Sequence, residues 1–454
     1  MRKKSLALLT GMCIAGIVLT GCAGGKDAGE GKETPKATEA ATTPSEKKTE
    51  APAETEANGE KVTLQFWHCM DGAKNDLIEQ MCKDFNEAHP DIEVVPTYQG
   101  GYWEAAAKAQ SAVAAGENPD ILQMGADHVS IFASEDGLLA DLKPYFEKSG
   151  MSTDDLVPAF SWDYFVNDKL IALPFGRSTP VLYVNKDLLK EVGKEIPTNW
   201  DEWHDVCQAL VKKDGNGEYE RYGMTMSYDT WYWFMIVAQA GGQFINSERT
   251  GLGCVEDGTM YNGFKFWQDM HNDGSMYFGP VTDSDATCRQ MFLEGKSGLY
   301  LSSVGNLNSI EENAKFDMEL AWVPKGKEQV VPTGGCSIVM MDASPNKDAA
   351  WEFMKWILQD PKGGTSFCLN TGYLPYTYTM TESEGYKALW ASDPNAKKAF
   401  EQLEYASDKG HRVPQVGTIM TDLQTAIQAI MYDNEDVQEQ IDILDKAVAD
   451  IMQE

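Results

Sequence analysis

Six histidines, nine cysteines and 70 acidic side chains are the groups with which this chain of 454 residues could do chemistry, and their spacing argues against most of it. The histidines, at 68, 89, 128, 204, 271 and 411, are scattered, with no His-Glu-x-x-His and no other paired metal spacing. No Gly-x-Ser-x-Gly turn presents a nucleophile. Gly295-Lys296-Ser297 has the end of a phosphate-binding loop, but the glycine required five residues earlier is Gln290. Asp214-Gly215-Asn216-Gly217 begins like a calcium loop, yet its sixth position is Tyr219 and its twelfth is Thr225. A polar turn between a helix and a strand is expected there instead. No metal and no cofactor are expected. Counting does not exclude a pair of glycosidase carboxylates; Asp127 with Asp71 or Asp229 is the first pair such an enzyme would use.

The cysteines divide by position. Cys13 lies in an apolar N-terminal run, and Cys22 follows Leu19-Thr20-Gly21, which resembles a bacterial lipobox. The remaining seven, at 69, 82, 207, 254, 288, 336 and 368, are odd in number and contain no Cys-x-x-Cys. Most of them are expected to be small buried hydrophobes. Met1-Arg2-Lys3-Lys4 followed by 16 apolar-rich residues is a secretory signal, too short for the ~20 residues of a permanent span. Residues 1–21 are thus read as signal peptide and 22–61 as a lipidated cysteine and its linker. From 23 to 61 there is no Val, Ile, Leu, Met, Cys or aromatic residue, so ordering is not repaid. As a flexible coil these residues reach roughly 35 Å.

Charge and length bound the rest. With 38 basic against 70 acidic side chains the chain carries −32, which repels phosphate backbones and argues against a nucleic-acid partner. Hydrophobic residues at 43% suffice for packed cores, and the length exceeds the ~250–300 residues at which one core stops growing.

The elements that must hold a site alternate in type. Residues 62–67 read as a strand, 76–88 as a helix with apolar positions at 77, 78, 81, 82 and 85, and 92–95 as a strand. A helix at 102–115 and a strand at 120–124 follow. This β-α-β-α-β order predicts an α/β layer with a mainly parallel sheet. Further strands are expected at 179–184, 298–302, 319–323 and 335–341. Helices are expected at 187–192, 200–213, 231–240, 263–272, 285–293, 348–358, 418–431 and 435–452.

Phe66-Trp67-His68, Phe85-Asn86-Glu87-Ala88-His89-Pro90-Asp91 and Pro119-Asp120-Ile121-Leu122-Gln123 resemble the family 1 extracellular solute-binding proteins of bacterial ABC importers. So do Ser178-Thr179-Pro180-Val181-Leu182-Tyr183-Val184-Asn185, Phe292-Leu293-Glu294-Gly295-Lys296-Ser297-Gly298 and Thr371-Gly372-Tyr373-Leu374-Pro375. The chain is most similar to the branch with the glycerol-3-phosphate receptors. The resemblance implies a two-lobed periplasmic-binding-protein-like fold with hinge strands and an interlobe ligand cleft. Crossings are then expected near Leu173-Pro174-Phe175, Val323-Pro324 and Tyr373. The N-terminal lobe would be 62–174 plus about 324–372, and the C-terminal lobe about 175–323 plus 373–454.

Carried over by position, the cleft residues are Tyr102, Ser178, Ser303, Gly335 and Tyr373, with Asp127 one residue from the place of the family's acid and Trp231 and Trp233 in a matching tryptophan-bearing loop; Trp67 is a further stacking candidate, and Arg177 adjoins Ser178 and could reach the same pocket. Flat aromatic faces suit the C–H faces of sugar rings, and Asp, Ser and backbone N–H suit hydroxyls. Trp231 and Trp233, beside Tyr228 and Tyr232, cannot all face one helical core, so some are expected in the cleft. The branch carries an arginine where this chain has Gly417, which favours a mono- or oligosaccharide over glycerol 3-phosphate unless Arg177 or Arg412 substitutes. The expected protein is a monomeric, non-enzymatic receptor on the outer face of the cytoplasmic membrane, held there by lipid and delivering its ligand to an ABC permease. A glycerol-phosphate or glycerophosphodiester receptor and an envelope-tethered glycoside hydrolase are the alternatives. Mass spectrometry of the mature N-terminus is expected to find lipid on Cys22; a Cys22→Ala chain that stayed fully membrane-bound would falsify the anchor.

Overall fold

The computed structural model describes residues 61–134, 137–407, 410 and 412–453. The signal, Cys22 and nearly all of the linker lie outside the described residues. In chain order the strands are β1 (Val62–His68), β2 (Ile92–Tyr98), β3 (Ile121–Gly125), β4 (Phe165–Val166), β5 (Lys169–Leu170), β6 (Leu173–Ser178) and β7 (Pro180–Asn185). They continue with β8 (Lys212–Lys213), β9 (Tyr219–Met226), β10 (Met276–Phe278), β11 (Ser297–Ser303), β12 (Met318–Ala321) and β13 (Gly334–Met340).

These strands form two main sheets. The first has the order β2-β1-β3-β13-β6, and the second β10-β9-β11-β7-β12 with β8 paired to β9. β1 runs parallel to β2, from Val62 opposite Ile92 to His68 opposite Tyr98, and parallel to β3. β13 lies antiparallel to both β3 and β6, and β7 antiparallel to both β11 and β12. The sheet expected to be mainly parallel therefore carries one reversed strand, β13, and along its main path the second sheet also carries one, β7, with the short β8 antiparallel to β9 at its side. The reason is connectivity: β13 and β7 are the strands entered directly from the opposite sheet, not through a helical return.

Two apolar cores pack against the sheets, and the first takes in residues of both, with Leu64 and Phe66 from β1 beside Val181, Tyr183 and Tyr300 from β7 and β11. The helix Gly72–Ala88 buries Ile78, Met81, Cys82 and Phe85 against the first, where Phe353 packs edge-on to Phe85. The second holds Trp203, Trp267, Met235 and Leu301, with Leu423 and Leu444 from the C-terminal helices Val416–Met431 and Val437–Ile451. The seven cysteines from Cys69 to Cys368 are all buried free thiols. Asp214 forms a polar turn between β8 and β9, accepting from the N–H groups of Asn216 (2.8 Å) and Glu218 (2.9 Å), so it joins two strands rather than a helix and a strand.

The chain passes from the first sheet to the second at Thr179, whose hydroxyl donates to the Pro332 carbonyl at 3.1 Å on the return passage. After Tyr373 a third passage runs alongside, with Leu374 N–H donating to the Arg177 carbonyl at 2.9 Å. These segments touch because Gly335 takes φ of 86°, and a Cβ there would stand 2.0 Å from the Gly176 carbonyl oxygen. Only glycine permits that approach.

Arg177 does not reach a cleft, contrary to the sequence expectation. It is fully buried, with Nη2 at 3.2 Å from Asp163 Oδ1 and Nη1 at 3.3 Å from Oδ2. Nη1 also donates to Ser337 Oγ at 3.0 Å, and the guanidinium lies over the Phe160 ring at 5.2 Å. The cause is strand alternation, which turns adjacent residues to opposite faces, so Arg177 and Ser178 cannot share one. Arg177→Ala should lower the unfolding free energy by about 3–5 kcal/mol by leaving Asp163 buried and unpaired. Urea denaturation followed by circular dichroism measures this, and an unchanged midpoint would contradict the assignment.

Candidate functional site

The helix Thr230–Gln239 opens at Asp229, whose Oδ1 accepts the Trp231 N–H at 2.9 Å and caps the first turn. Beyond that turn every residue from Tyr232 to Gln239 is buried, as in a helix apolar all round. Residues two apart on a helix face different ways. Trp231 consequently turns toward open space, while Trp233 is fully buried edge-on to Phe264, at 4.6 Å between ring centroids. The Trp231 indole lies on the backbone of Gly334, where a Cβ would stand 2.9 Å from its ring.

That open space is a cavity of about 550 Å³. The first sheet and its helices contribute Lys74, Tyr102, Trp103, Asp127, His128 and Ser178; the second contributes Tyr228, Asp229, Trp231, Asp285, Ser303 and Asn306. Gly334, Gly335 and Tyr373 line it from the passages between the sheets. Seven residues expected from the sequence are thus brought together: Tyr102, Asp127, Ser178, Trp231, Ser303, Gly335 and Tyr373. Three are not. Arg177 and Trp233 are buried as described, and Trp67 is half-buried against the first core. A larger surface groove of about 730 Å³, between Tyr145, Trp351 and Lys355, contains none of them.

The lining is acidic. Asp127 Oδ1 pairs with Arg412 Nε at 3.1 Å, and Arg412 also donates to the Thr333 carbonyl at 3.1 Å. Asp285 accepts from the Tyr300 hydroxyl at 2.5 Å, from Ser302 at 3.0 Å and from the Asn306 amide at 3.2 Å. Asp229 presents exposed surface to the cavity, and desolvation by the surrounding walls pushes its carboxyl up to about 6 against the Trp231 N–H, with the Asp127 and Asp285 charges adding to the effect. His128 is 4% exposed, packs edge-on against Trp103 at 4.0 Å between ring centroids, and has its ring beside Gly125. Burial lowers its pKa, against the pull of Asp127. Lys74 lies over the Tyr373 ring at 4.8 Å.

Among the described residues no group of three or more His, Cys, Asp or Glu is arranged to hold a metal ion. Of the carboxylate pairs a hydrolase would use, Asp127 and Asp229 both line the cavity and Asp71 does not. Sequence reasoning missed Lys74, His128, Asp285 and Asn306, none of which stands in a motif that signals ligand contact. Gly417, where the related branch has arginine, stands in the first turn of Val416–Met431 with Trp103 and Ile131 as its nearest neighbours.

Comparisons with known proteins bear on this geometry. The sn-glycerol-3-phosphate-binding periplasmic protein UgpB of Pectobacterium atrosepticum is 26% identical over 407 residues, covering 84% of this chain and 88% of that protein. The solved GacH receptor of Streptomyces glaucescens superposes with a TM-score of 0.76 at 18% identity, over 87% of this chain and 99% of that one. UgpB from Mycobacterium tuberculosis, solved with glycerophosphocholine, gives a TM-score of 0.76 at 22% identity, over 86% and 98%. The fold is accordingly that of the two-lobed periplasmic binding proteins, with the two sheets at the centres of the lobes. Residues 80–398, from the first helix to the helix Pro394–Glu401, match the family described as bacterial extracellular solute-binding protein; the chain belongs to that exported family.

Proposed function

We propose that this solute-binding protein captures a mono- or oligosaccharide in the cavity between its lobes and delivers it to the membrane subunits of an ABC importer. The observation that carries the reading is the composition of the cavity wall. Trp231, Tyr102 and Tyr373 offer ring faces, while Ser178, Ser303, Asn306 and the carboxylates offer hydrogen-bond partners for hydroxyls. Acarbose, named with the GacH receptor, is consistent with such a wall.

The relatives named for sn-glycerol-3-phosphate and glycerophosphocholine favour a second reading, a glycerol-phosphate ligand. Charge weighs against it. A phosphate in a dehydrated cleft is best met by a bidentate arginine. Arg177 is committed to Asp163, Arg412 to Asp127, and Gly417 has no side chain to offer. Hydrolysis is weaker still, because a carboxylate held by Arg412 is a poor proton donor.

The lobes proposed are 62–174 plus about 324–372, and about 175–323 plus 373–454, with the first boundary moved to Thr179 because β6 stays in the first sheet through Ser178. Ligand would favour the closed arrangement of these lobes by binding it better than the open one. A monomer anchored through lipid on Cys22 completes the reading. Small-angle scattering should show the chain contract when the right saccharide is added, and titration calorimetry should find saccharide rather than glycerol 3-phosphate. Binding of the phosphate alone would replace the carbohydrate reading with the second one. Trp231→Ala should weaken saccharide binding by about 2 kcal/mol, roughly thirtyfold in Kd, by removing a stacking face.

A further inference from the structure

We propose that the saccharide bound here carries a protonated amine, and that Asp229 receives the ammonium group. This rests on the saccharide reading and narrows it. Three carboxylates line the cavity, Asp127, Asp229 and Asp285, against a single lysine, Lys74. Two of the three are already provided for. Asp127 has Arg412 beside it, and Asp285 has the Tyr300 and Ser302 hydroxyls and the Asn306 amide. Asp229 has one protein hydrogen bond, from the Trp231 N–H, and the charges acting on it are the two other carboxylates. It is the most exposed of the three.

Closure of the lobes over a ligand removes water from Asp229. A dehydrated carboxylate with one donor and two like charges for neighbours must take up a proton or gain a cation. An ammonium on the ligand supplies the cation, and the setting suits it. Trp231, Tyr228 and Tyr232 flank Asp229 in sequence and line the same cavity, and aromatic faces attract a cation through their quadrupoles. His128 adds a separate indication. It is a cavity-lining side chain, almost wholly buried, and burial favours its uncharged form. An uncharged imidazole offers one N–H and one lone pair, and it adds no positive charge to compete with a ligand ammonium for the cavity's carboxylates. Lys74 does not fill the role of countercharge, since its ammonium lies over Tyr373.

The test is titration calorimetry on the full chain at neutral pH with three probes of equal length and linkage: glucosamine oligomers, their N-acetylated forms, and glucose oligomers. The expected result is that the amine-bearing oligomer binds at least about tenfold tighter than the other two. Asp229→Asn removes the charge and keeps the helix cap, because the asparagine side-chain oxygen accepts the same N–H. In that variant the preference should shrink toward unity. Neutral oligomers binding as tightly as the amine, or a preference unaltered in Asp229→Asn, would overturn the inference and leave the carbohydrate reading standing. Binding of glycerol 3-phosphate with none of the saccharides would overturn both.

Discussion

A guanidinium cut off from water must be met by partners inside the protein, and the two terminal nitrogens of Arg177 tie three separate pieces of chain together. Asp163 comes from the turn Pro158–Asp163, Ser337 from β13, and the arginine itself from β6. Those pieces are the ones that meet where the chain passes between the lobes. Releasing any of them would leave a bare charge in an apolar surround, which is far costlier than the loss of one apolar contact. The pair therefore fixes the end of β6, and with it the position from which Ser178 and Thr179 leave for the second sheet.

The binding wall depends on that fixed point through glycine. Gly334 and Gly335 begin β13 opposite Ser178 and Arg177. One face of this pair presses against Gly176, and the other carries the Trp231 indole. A ligand that stacks on Trp231 thus leans, through a backbone with no side chain between, on the segment that connects the lobes. Affinity and lobe geometry share a surface here. On the far wall the Asp285 network plays the corresponding part, holding Ser302 and Asn306 in place next to Ser303 through donors from β11 and the turn after it.

Much of this was legible in the residues. The alternation from Val62 to Met124 specified the first β-α-β-α-β run to within a few positions, because each element shows its own period, and the apolar stripe of 77, 78, 81, 82 and 85 marks one helix face. The seven convergent site residues came from likeness to a family. Two of the three misplaced ones, Arg177 and Trp233, could have been corrected by the same periodicities, since each lies on the face opposite a neighbour that does line the cavity. Lys74, His128 and Asp285 were beyond reach. They come from separate elements and share a wall only after the sheets are packed. The short helices between 360 and 405 were missed as well, for they lack the length over which a period can be counted.

The seven thiols have a practical side. All seven are free and buried, and burial pushes their pKa values up, to about 12 for Cys288 and Cys336. Alkylating dyes react with the thiolate, which a buried, protonated sulfur supplies only when its surroundings open. Within the described folded chain, a cysteine engineered onto the surface of each lobe would therefore take label far faster than any native one. Distances between fluorophores on the two lobes are accessible without first stripping the protein of its own cysteines, and without disturbing the packing those sulfurs complete.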